Sequence, residues 1–246
     1  MYKSIYLAQR NPALTEAQFH ERWKEHSALT GTTQRIRPYF TQVVQCRRYD
    51  GAGPADATNA FDGANLLGLV ERAGGYRVFE EPEHRDIMLP DELLTFSGPI
   101  RDYTLIAREQ VCLQGEMTRY LVLRFLRFAV GADREGQFAR WCESQAKRDS
   151  TGPAAALVAR SVANLVIEPA PIAVNFDVVT ETWFREPPDV ERHSQDDQAI
   201  RSLAEAIRAL NVTDTLTFAA QVNHARPPIA DRSRMRCDPI SSDQPL

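Results

Sequence analysis

The sequence predicts an α+β fold built from two tandem modules of the order βαββαβ. Its 246 residues, 43% of them hydrophobic and 25% charged, are enough for one large or two small domains with a hydrophobic core. Segments with strand and helix periodicity follow one another in this order and then repeat it. Trp23, in the first predicted helix, has a counterpart in Trp141 after about half of the chain. Together these observations indicate an internal duplication.

The first module begins with a strand and a capped helix. Alternating apolar residues predict a strand over Tyr2–Gln9, and an Asn-Pro pair ends it. Thr15, followed three residues later by Gln18, forms a capping box, which predicts a helix from this point to about Leu29. The remaining elements are expected to be strands at Tyr39–Tyr49, Ala64–Glu71 and Asp102–Leu113, with one or two short helices within Tyr76–Phe96.

The second module repeats the plan. Its first helix carries GQFARWCESQAKR, which is similar to AQFHERWKEHSAL in the first module. We expect strands at Thr118–Phe128, Ala155–Ile167, Val174–Phe184 and Thr213–Asn223, a helix at Asp133–Ser150, and a long amphipathic helix containing Ile200, Leu203, Ile207 and Leu210.

Each βαββαβ unit predicts a ferredoxin-like antiparallel sheet with both helices on one face. Since this leaves the other face bare, the two modules should pack sheet against sheet or join their edges into a barrel within one chain. The expected domains are residues 1–115, residues 116–225 as a degenerate second copy, and an extended tail over 226–246 with little apolar content.

Composition excludes several classes of function. A net charge of -4, with basic residues spread along the chain, argues against nucleic acid as a partner. No apolar run is long enough to cross a membrane, and the first residues lack the apolar core of a secretory signal, so a cytoplasmic protein is expected. The four cysteines lie far apart, and no phosphate-binding, dinucleotide-binding or metal-ligand motif is present. We therefore expect no metal and no cofactor.

Two segments of the first module resemble the EthD family of dimeric α+β barrel proteins. They are RNPALTEAQFHERWKEH over Arg10–His26 and EPEHRDIMLPDELLTF over Glu81–Phe96. The resemblance covers Met1–Leu113, and the second module shares only the general plan. It implies a fused, intramolecular version of the family's dimeric barrel, with a small-molecule pocket between sheet and first helix in each half. Related barrels include cofactor-free lyases and isomerases, quinone-forming monooxygenases and haem-binding enzymes.

His26 is the main candidate for chemistry. At 100° per residue it shares the inward face of its helix with Phe19 and Trp23. It either acts as a general acid/base, because an imidazole titrates near neutral pH, or it only packs at the helix end. Ser144 or Gln145 takes the corresponding place in the second module, and neither titrates near neutrality. One working pocket, in the first module, is therefore predicted.

Other residues complete the predicted site. Arg10 is a candidate for binding a substrate carboxylate or phenolate, and Tyr39 is a further catalytic candidate. Phe19, Trp23 and the strand tyrosines Tyr6 and Tyr120 are candidates for substrate binding. Residues expected to lie outside the site are Asp91 and Glu92, as helix caps, and His20, His84 and His193, as exposed polar side chains.

The resulting hypothesis is a cofactor-independent lyase that decarboxylates or dehydrates a hydrophobic aromatic or polyketide-like compound, with His26 moving the proton. The alternatives are a cofactor-free or haem-dependent monooxygenase and a non-catalytic small-molecule binding protein. A homodimer is possible, because each module has edge strands.

Overall fold

The computed structural model describes residues 1–152, 154–172 and 175–226. The extended tail predicted for 226–246 therefore lies outside the described residues, apart from Arg226. The strands are β1 (Tyr2–Ala8), β2 (Phe40–Arg48), β3 (Gly63–Leu69), β4 (Leu105–Leu113), β5 (Tyr120–Phe128), β6 (Val158–Glu168), β7 (Val178–Phe184) and β8 (Val212–Arg226). The α-helices are α1 (Glu16–Thr32), α2 (Gly74–Arg77), α3 (Leu89–Thr95), α4 (Arg134–Ser150), α5 (Ala154–Leu157), α6 (Pro187–Gln195) and α7 (Asp197–Ala209).

The eight strands form one closed antiparallel barrel in the order β1-β3-β2-β8-β5-β7-β6-β4. The first four strands make the sheet β4-β1-β3-β2, and the last four repeat this order as β8-β5-β7-β6. The edges of the two sheets join through the pairs β2 with β8 and β4 with β6. The structure thus confirms the predicted fold class, two tandem ferredoxin-like modules that pack as an intramolecular α+β barrel.

The core has an inner layer and two outer layers. Side chains such as Ile5, Phe125 and Trp183 fill the barrel interior. Outside it, α1 covers the first sheet with Phe19 and Trp23. Helix α4 covers the second sheet with a further apolar cluster. Each large apolar side chain buried in this way contributes about 1.5–3 kcal/mol.

Helix α1 begins where the sequence predicts it. The Thr15 hydroxyl accepts from the Gln18 backbone N–H, and the Gln18 side chain accepts from the Thr15 N–H. The inward face of the helix packs closely on the sheet. The approach is so close that a Cβ atom at Gly63 would clash with the ring of Trp23. A glycine in β3 therefore allows this tryptophan to approach the backbone.

The second module differs from the prediction in some details. The predicted amphipathic helix is α7, which carries Ile200, Leu203 and Ile207 and begins after Asp196, whose side chain accepts from the Ala199 N–H. The separate helix before it, α6, was not predicted. The strand predicted from Val174 begins at Val178 in the described residues, while Val174 itself lies outside them. Among the helices described, none combines the length and the apolar character that crossing a membrane requires.

Candidate active site

A small cavity lies between the first sheet and its helix layer. Its volume is about 70 Å³. Its polar lining side chains are Ser4, Tyr6, His26, Ser27, Thr30, Asn65, His84 and Glu92, and its apolar ones are Ile36, Phe40, Val43, Leu67, Val78, Phe79, Met88 and Ile100. Because most of the wall surface is apolar, polar contacts made inside it are stronger than they would be in water.

His26 is buried at this cavity and paired with a carboxylate. It is 6% exposed, and its ring lies edge-on to that of Phe96. Its Nδ1 is 2.7 Å from Oδ2 of Asp91. Its other ring nitrogen, Nε2, makes no hydrogen bond with any described residue. A carboxylate on Nδ1 favours the tautomer that leaves Nε2 free to accept a proton, and it stabilises the imidazolium that forms.

Asp91 belongs to α3, which starts at Leu89 and Pro90 and runs beside α1. Its second oxygen, Oδ1, accepts from the Arg22 guanidinium at 2.5 Å. The hydrogen bond from His26, and then the charges of His26 and Arg22, hold the pKa of the Asp91 carboxyl below its usual range against the opposing effect of burial. Asp91 is therefore ionised at neutral pH and available to orient the His26 ring.

A second imidazole and carboxylate line the same cavity. Nε2 of His84 lies 3.0 Å from Oε1 of Glu92, and Oε2 of Glu92 accepts from the Ile100 backbone N–H at 3.2 Å. Both side chains are buried, at 7% and 3% exposure. Because both oxygens of Glu92 are engaged, this pair fixes the loop after α3 and gives the cavity a polar wall.

Tyr6 contributes a phenol to the cavity. Asn65 donates from Nδ2 to the Tyr6 oxygen at 2.8 Å, directly across the strands β1 and β3. The Tyr6 hydroxyl donates to no described residue. Burial raises the pKa of Tyr6, so the phenol stays protonated and remains a donor. It can therefore donate a hydrogen bond to a negatively charged oxygen of a bound molecule.

The structure brings only two of the predicted site residues, His26 and Tyr6, to this cavity. Phe19 and Trp23 lie behind them in the packed cluster under α1. The Arg10 guanidinium forms an ion pair with Asp62 and does not line the cavity.

The other two predicted residues lie elsewhere. The Tyr39 hydroxyl donates to Glu81 at 2.7 Å, in the 3₁₀ turn Arg37–Tyr39 before β2. Tyr120 belongs to the second module, where its ring contacts that of Tyr49.

Sequence reasoning missed three residues that the cavity depends on. The prediction that Asp91 and Glu92 serve as helix caps was wrong, because their carboxylates bind the two histidines. His84 is buried rather than exposed, because the π-helical turn His84–Met88 rotates it inward. The signal in the sequence was the pair of acids directly after Pro90, within the segment that already resembled the EthD family.

A second, larger cavity lies between the two modules at one end of the barrel. Its volume is about 460 Å³, and its walls are mostly apolar and aromatic, including Phe61, Tyr103, Phe125 and Phe176. Tyr6 borders both cavities. Among the described residues that line it there is no imidazole, and the one carboxylate is Asp102, so they offer apolar space without an acid/base pair.

The residues do not fit a haem. A haem needs an axial ligand inside a cavity that encloses the porphyrin. Two cavities are lined by histidine, one beside His26 and one beside His193, and they measure about 70 and 40 Å³. Ligand pockets typically measure about 300–1,000 Å³. Within the described parts of the chain, no group of three or more His, Cys, Asp or Glu side chains is arranged to hold a metal ion.

Comparison with known proteins shows similarity in structure. No family model matches the sequence, and no curated protein matches it at a significant level. An anthrone oxidase-like protein superimposes with a TM-score of 0.63 at 11% identity over 92% of both chains. A proposed monooxygenase from Fusobacterium nucleatum subsp. nucleatum gives a TM-score of 0.60 at 4% identity, over 91% of this chain and 93% of the other.

A third similar structure is a variant of the chlorite dismutase from Candidatus Nitrospira defluvii in complex with cyanide. It gives a TM-score of 0.54 at 12% identity, over 90% of this chain and 91% of the other. At such identities the similarity shows the fold alone, and that fold is the α+β barrel. Membership of the EthD family stays a prediction.

Proposed function

We propose that this chain is an oxidase or monooxygenase that removes a proton from an oxygenated aromatic compound and needs no cofactor. The observation that carries the proposal is the buried pair of His26 and Asp91, 2.7 Å apart, at the wall of a cavity. The pair has the parts of a general base: an imidazole, a carboxylate that orients it, and surroundings that exclude water.

An anthrone-like compound suits this base. Its central methylene is acidic, because loss of a proton gives an aromatic phenolate. Nε2 of His26 takes this proton, and Asp91 stabilises the resulting imidazolium. The Tyr6 hydroxyl donates to the phenolate oxygen that develops at the other side of the ring. The structural similarity to an anthrone oxidase-like protein supports the same class of compound.

Molecular oxygen completes the reaction. The carbanion reduces O₂ and forms a C–O bond, and the proton held by His26 completes a hydroperoxide. Loss of the second methylene proton then breaks the O–O bond, so that one oxygen atom becomes the new carbonyl and the other leaves as water. An anthrone and O₂ thus give a quinone and water, and no external reductant is required.

The lyase reaction stays a prediction. His26 could equally serve a decarboxylation or a dehydration, since either begins with movement of one proton. The similar structures include an anthrone oxidase-like protein and a proposed monooxygenase, and these favour the oxidative alternative.

The size of the cavity limits how a substrate binds. At about 70 Å³, it is smaller than the roughly 150 Å³ that accommodates one benzene ring. The complete ring that the reaction places between His26 and Tyr6 therefore fits only when lining side chains move. Met88 is suited to this movement, because methionine has three rotatable bonds and packs adaptably.

The test is oxygen uptake and quinone formation with purified protein and an anthrone. Wild type should consume one O₂ for each quinone formed, and the variant His26→Gln should lose about 10²–10⁴-fold in kcat. His20→Gln is the matched control, because His20 lies on the same helix outside the cavity. Absence of both O₂ uptake and quinone formation would contradict the oxidative reaction, and equal rates in the His26→Gln variant would contradict the proposed base.

A further inference from the structure

The second module has a pocket at the corresponding place, and its chemistry is different. Tyr6 is the fifth residue of β1 and faces Asn65, the third residue of β3. In the second module the fifth residue of β5 is Arg124, which faces Thr180, the third residue of β7. A guanidinium thus takes the place of the Tyr6 phenol beneath α4.

Arg124 is buried without a partner. It is 8% exposed, forms no hydrogen bond or ion pair within the described residues, and has a buried Nε–H that is not satisfied. It lines a cavity of about 40 Å³ together with Arg148, Thr180 and His193. A buried guanidinium without an acceptor is costly, so a ligand that accepts from it is favoured at this position.

A second cation is held at the same cavity. Arg148 lies over the ring of Trp141, with 5.0 Å from its Cζ to the ring centroid. One of its N–H groups donates to Ser144 Oγ at 2.8 Å. Since a guanidinium has five N–H donors, Arg148 keeps donors for a ligand.

The acids near Arg124 are Asp149, Asp56 and Asp196. Asp149 is buried at 4% exposure, and its Oδ2 has no hydrogen-bond partner. Asp56 accepts from the Thr217 hydroxyl, and Asp196 caps α7. None of the three is within ion-pair distance of Arg124 in the described residues. Asp149 and Asp196 line the cavity together with Arg124 and Arg148, so two carboxylate charges match the two guanidinium charges and the wall is close to neutral.

We propose that this cavity is a binding site for a small monovalent carboxylate, held by Arg124 and Arg148 and by the Thr180 hydroxyl. The planar guanidinium matches a carboxylate in a bidentate geometry, and an anion with a single charge is repelled least by the carboxylates of Asp149 and Asp196. The volume admits an anion the size of acetate, because a single water needs at least about 10–15 Å³. The site uses neither His26 nor Asp91 and is independent of the proposed function.

The experiment is thermal unfolding and calorimetric titration of the full chain with sodium acetate, sodium phosphate and sodium chloride at constant ionic strength. Acetate should raise the Tm of wild type in a saturable manner, and the titration should give one site. In Arg124→Gln, the affinity for acetate should fall at least about tenfold, because charge-assisted hydrogen bonds are lost. Arg148→Gln should weaken binding less, because one N–H group of the Arg148 guanidinium already donates to Ser144.

Arg140→Gln is the control, since Arg140 lies exposed on the same helix as Arg148 and should bind acetate as wild type does. Each variant is compared with itself with and without anion, so a change in its own stability does not obscure the result. The proposal is overturned if chloride stabilises wild type as much as acetate does. A saturable response to phosphate alone, or an unchanged response to acetate in Arg124→Gln, also overturns it.

Discussion

The two modules share one backbone plan but carry different side chains at equivalent positions of their sheets, a neutral phenol in the first and a guanidinium in the second. In the first, a phenol and a neutral amide face an imidazole and carboxylate pair, Tyr6 and Asn65 against His26 and Asp91. In the second, a buried guanidinium occupies the same place in the sheet. Because both copies lie in one chain, each pocket can change separately, whereas a symmetric dimer repeats every substitution in both.

We expect the largest effect from a substitution that breaks the acid/base pair of the first module. Asp91→Asn should lower kcat about 100-fold, because an amide neither fixes the His26 tautomer nor stabilises the imidazolium. The measurement is kcat and kcat/KM with an anthrone, alongside the Tm. Glu25→Gln is the control, because Glu25 also pairs with Arg22 at 3.4 Å but is exposed. Equal losses in both variants would assign the effect to Arg22 and not to the His26 pair.

The next effect is on the pH dependence of stability, to which a histidine of the second module contributes. Burial, and then the charge of Arg124, lower the pKa of His193 to about 4. Because an unfolded histidine has a pKa of about 6.5, the unfolded chain binds more protons between these values, and stability falls as pH drops from 6.5 to 4. The expected loss is on the order of 2–3 kcal/mol.

Urea unfolding measured between pH 7 and about pH 2 tests this expectation. His193→Gln should reduce the pH dependence between pH 6.5 and pH 4 and leave the contributions of His20 and His224, whose pKa values burial also lowers. The decline below pH 4 from Asp91 should persist, because its depressed carboxyl pKa stabilises the fold only above that range. An unchanged slope in His193→Gln would show that another group controls the acid response.

The fold could be predicted further than the site. Local signals such as the Thr15 capping box and the alternation of side chains along β5 depend only on neighbouring residues, so the order of elements could be predicted from the sequence. Helical spacing likewise placed His26 on the inward face. Its partner Asp91 lies 65 residues away in sequence, and no local pattern reports that separation.

Arg124 illustrates the same limit in the second module. The alternation along β5 places it on one face of the strand together with Tyr120 and Val122. Helices cover that face, so a residue type that is usually exposed is buried there. Only the three-dimensional packing of α4 and α6 over the sheet reveals this.

We expect a smaller effect from removing the phenol oxygen of Tyr6. Tyr6→Phe should lower kcat about tenfold, because it removes one hydrogen-bond donor to the developing phenolate and leaves the His26 base intact. The pH dependence of kcat should keep its shape, since burial keeps the phenol protonated across the working range. Asn65→Ala separates the two roles: it removes the partner of Tyr6 but leaves the hydroxyl, and should lower kcat less than Tyr6→Phe does.

The smallest effect concerns a tyrosine outside both pockets. Tyr39 donates to Glu81 at 2.7 Å, and this bond together with Arg35 holds the pKa of the Glu81 carboxyl below its usual range. Since the two side chains are half-buried at the surface, Tyr39→Phe should change the Tm by less than about 2 °C and leave kcat within about twofold of wild type. The same assays that measure Tyr6→Phe provide the comparison. A large loss of kcat would show that the turn before β2 reaches the substrate, and the site would then extend beyond the cavity beside His26.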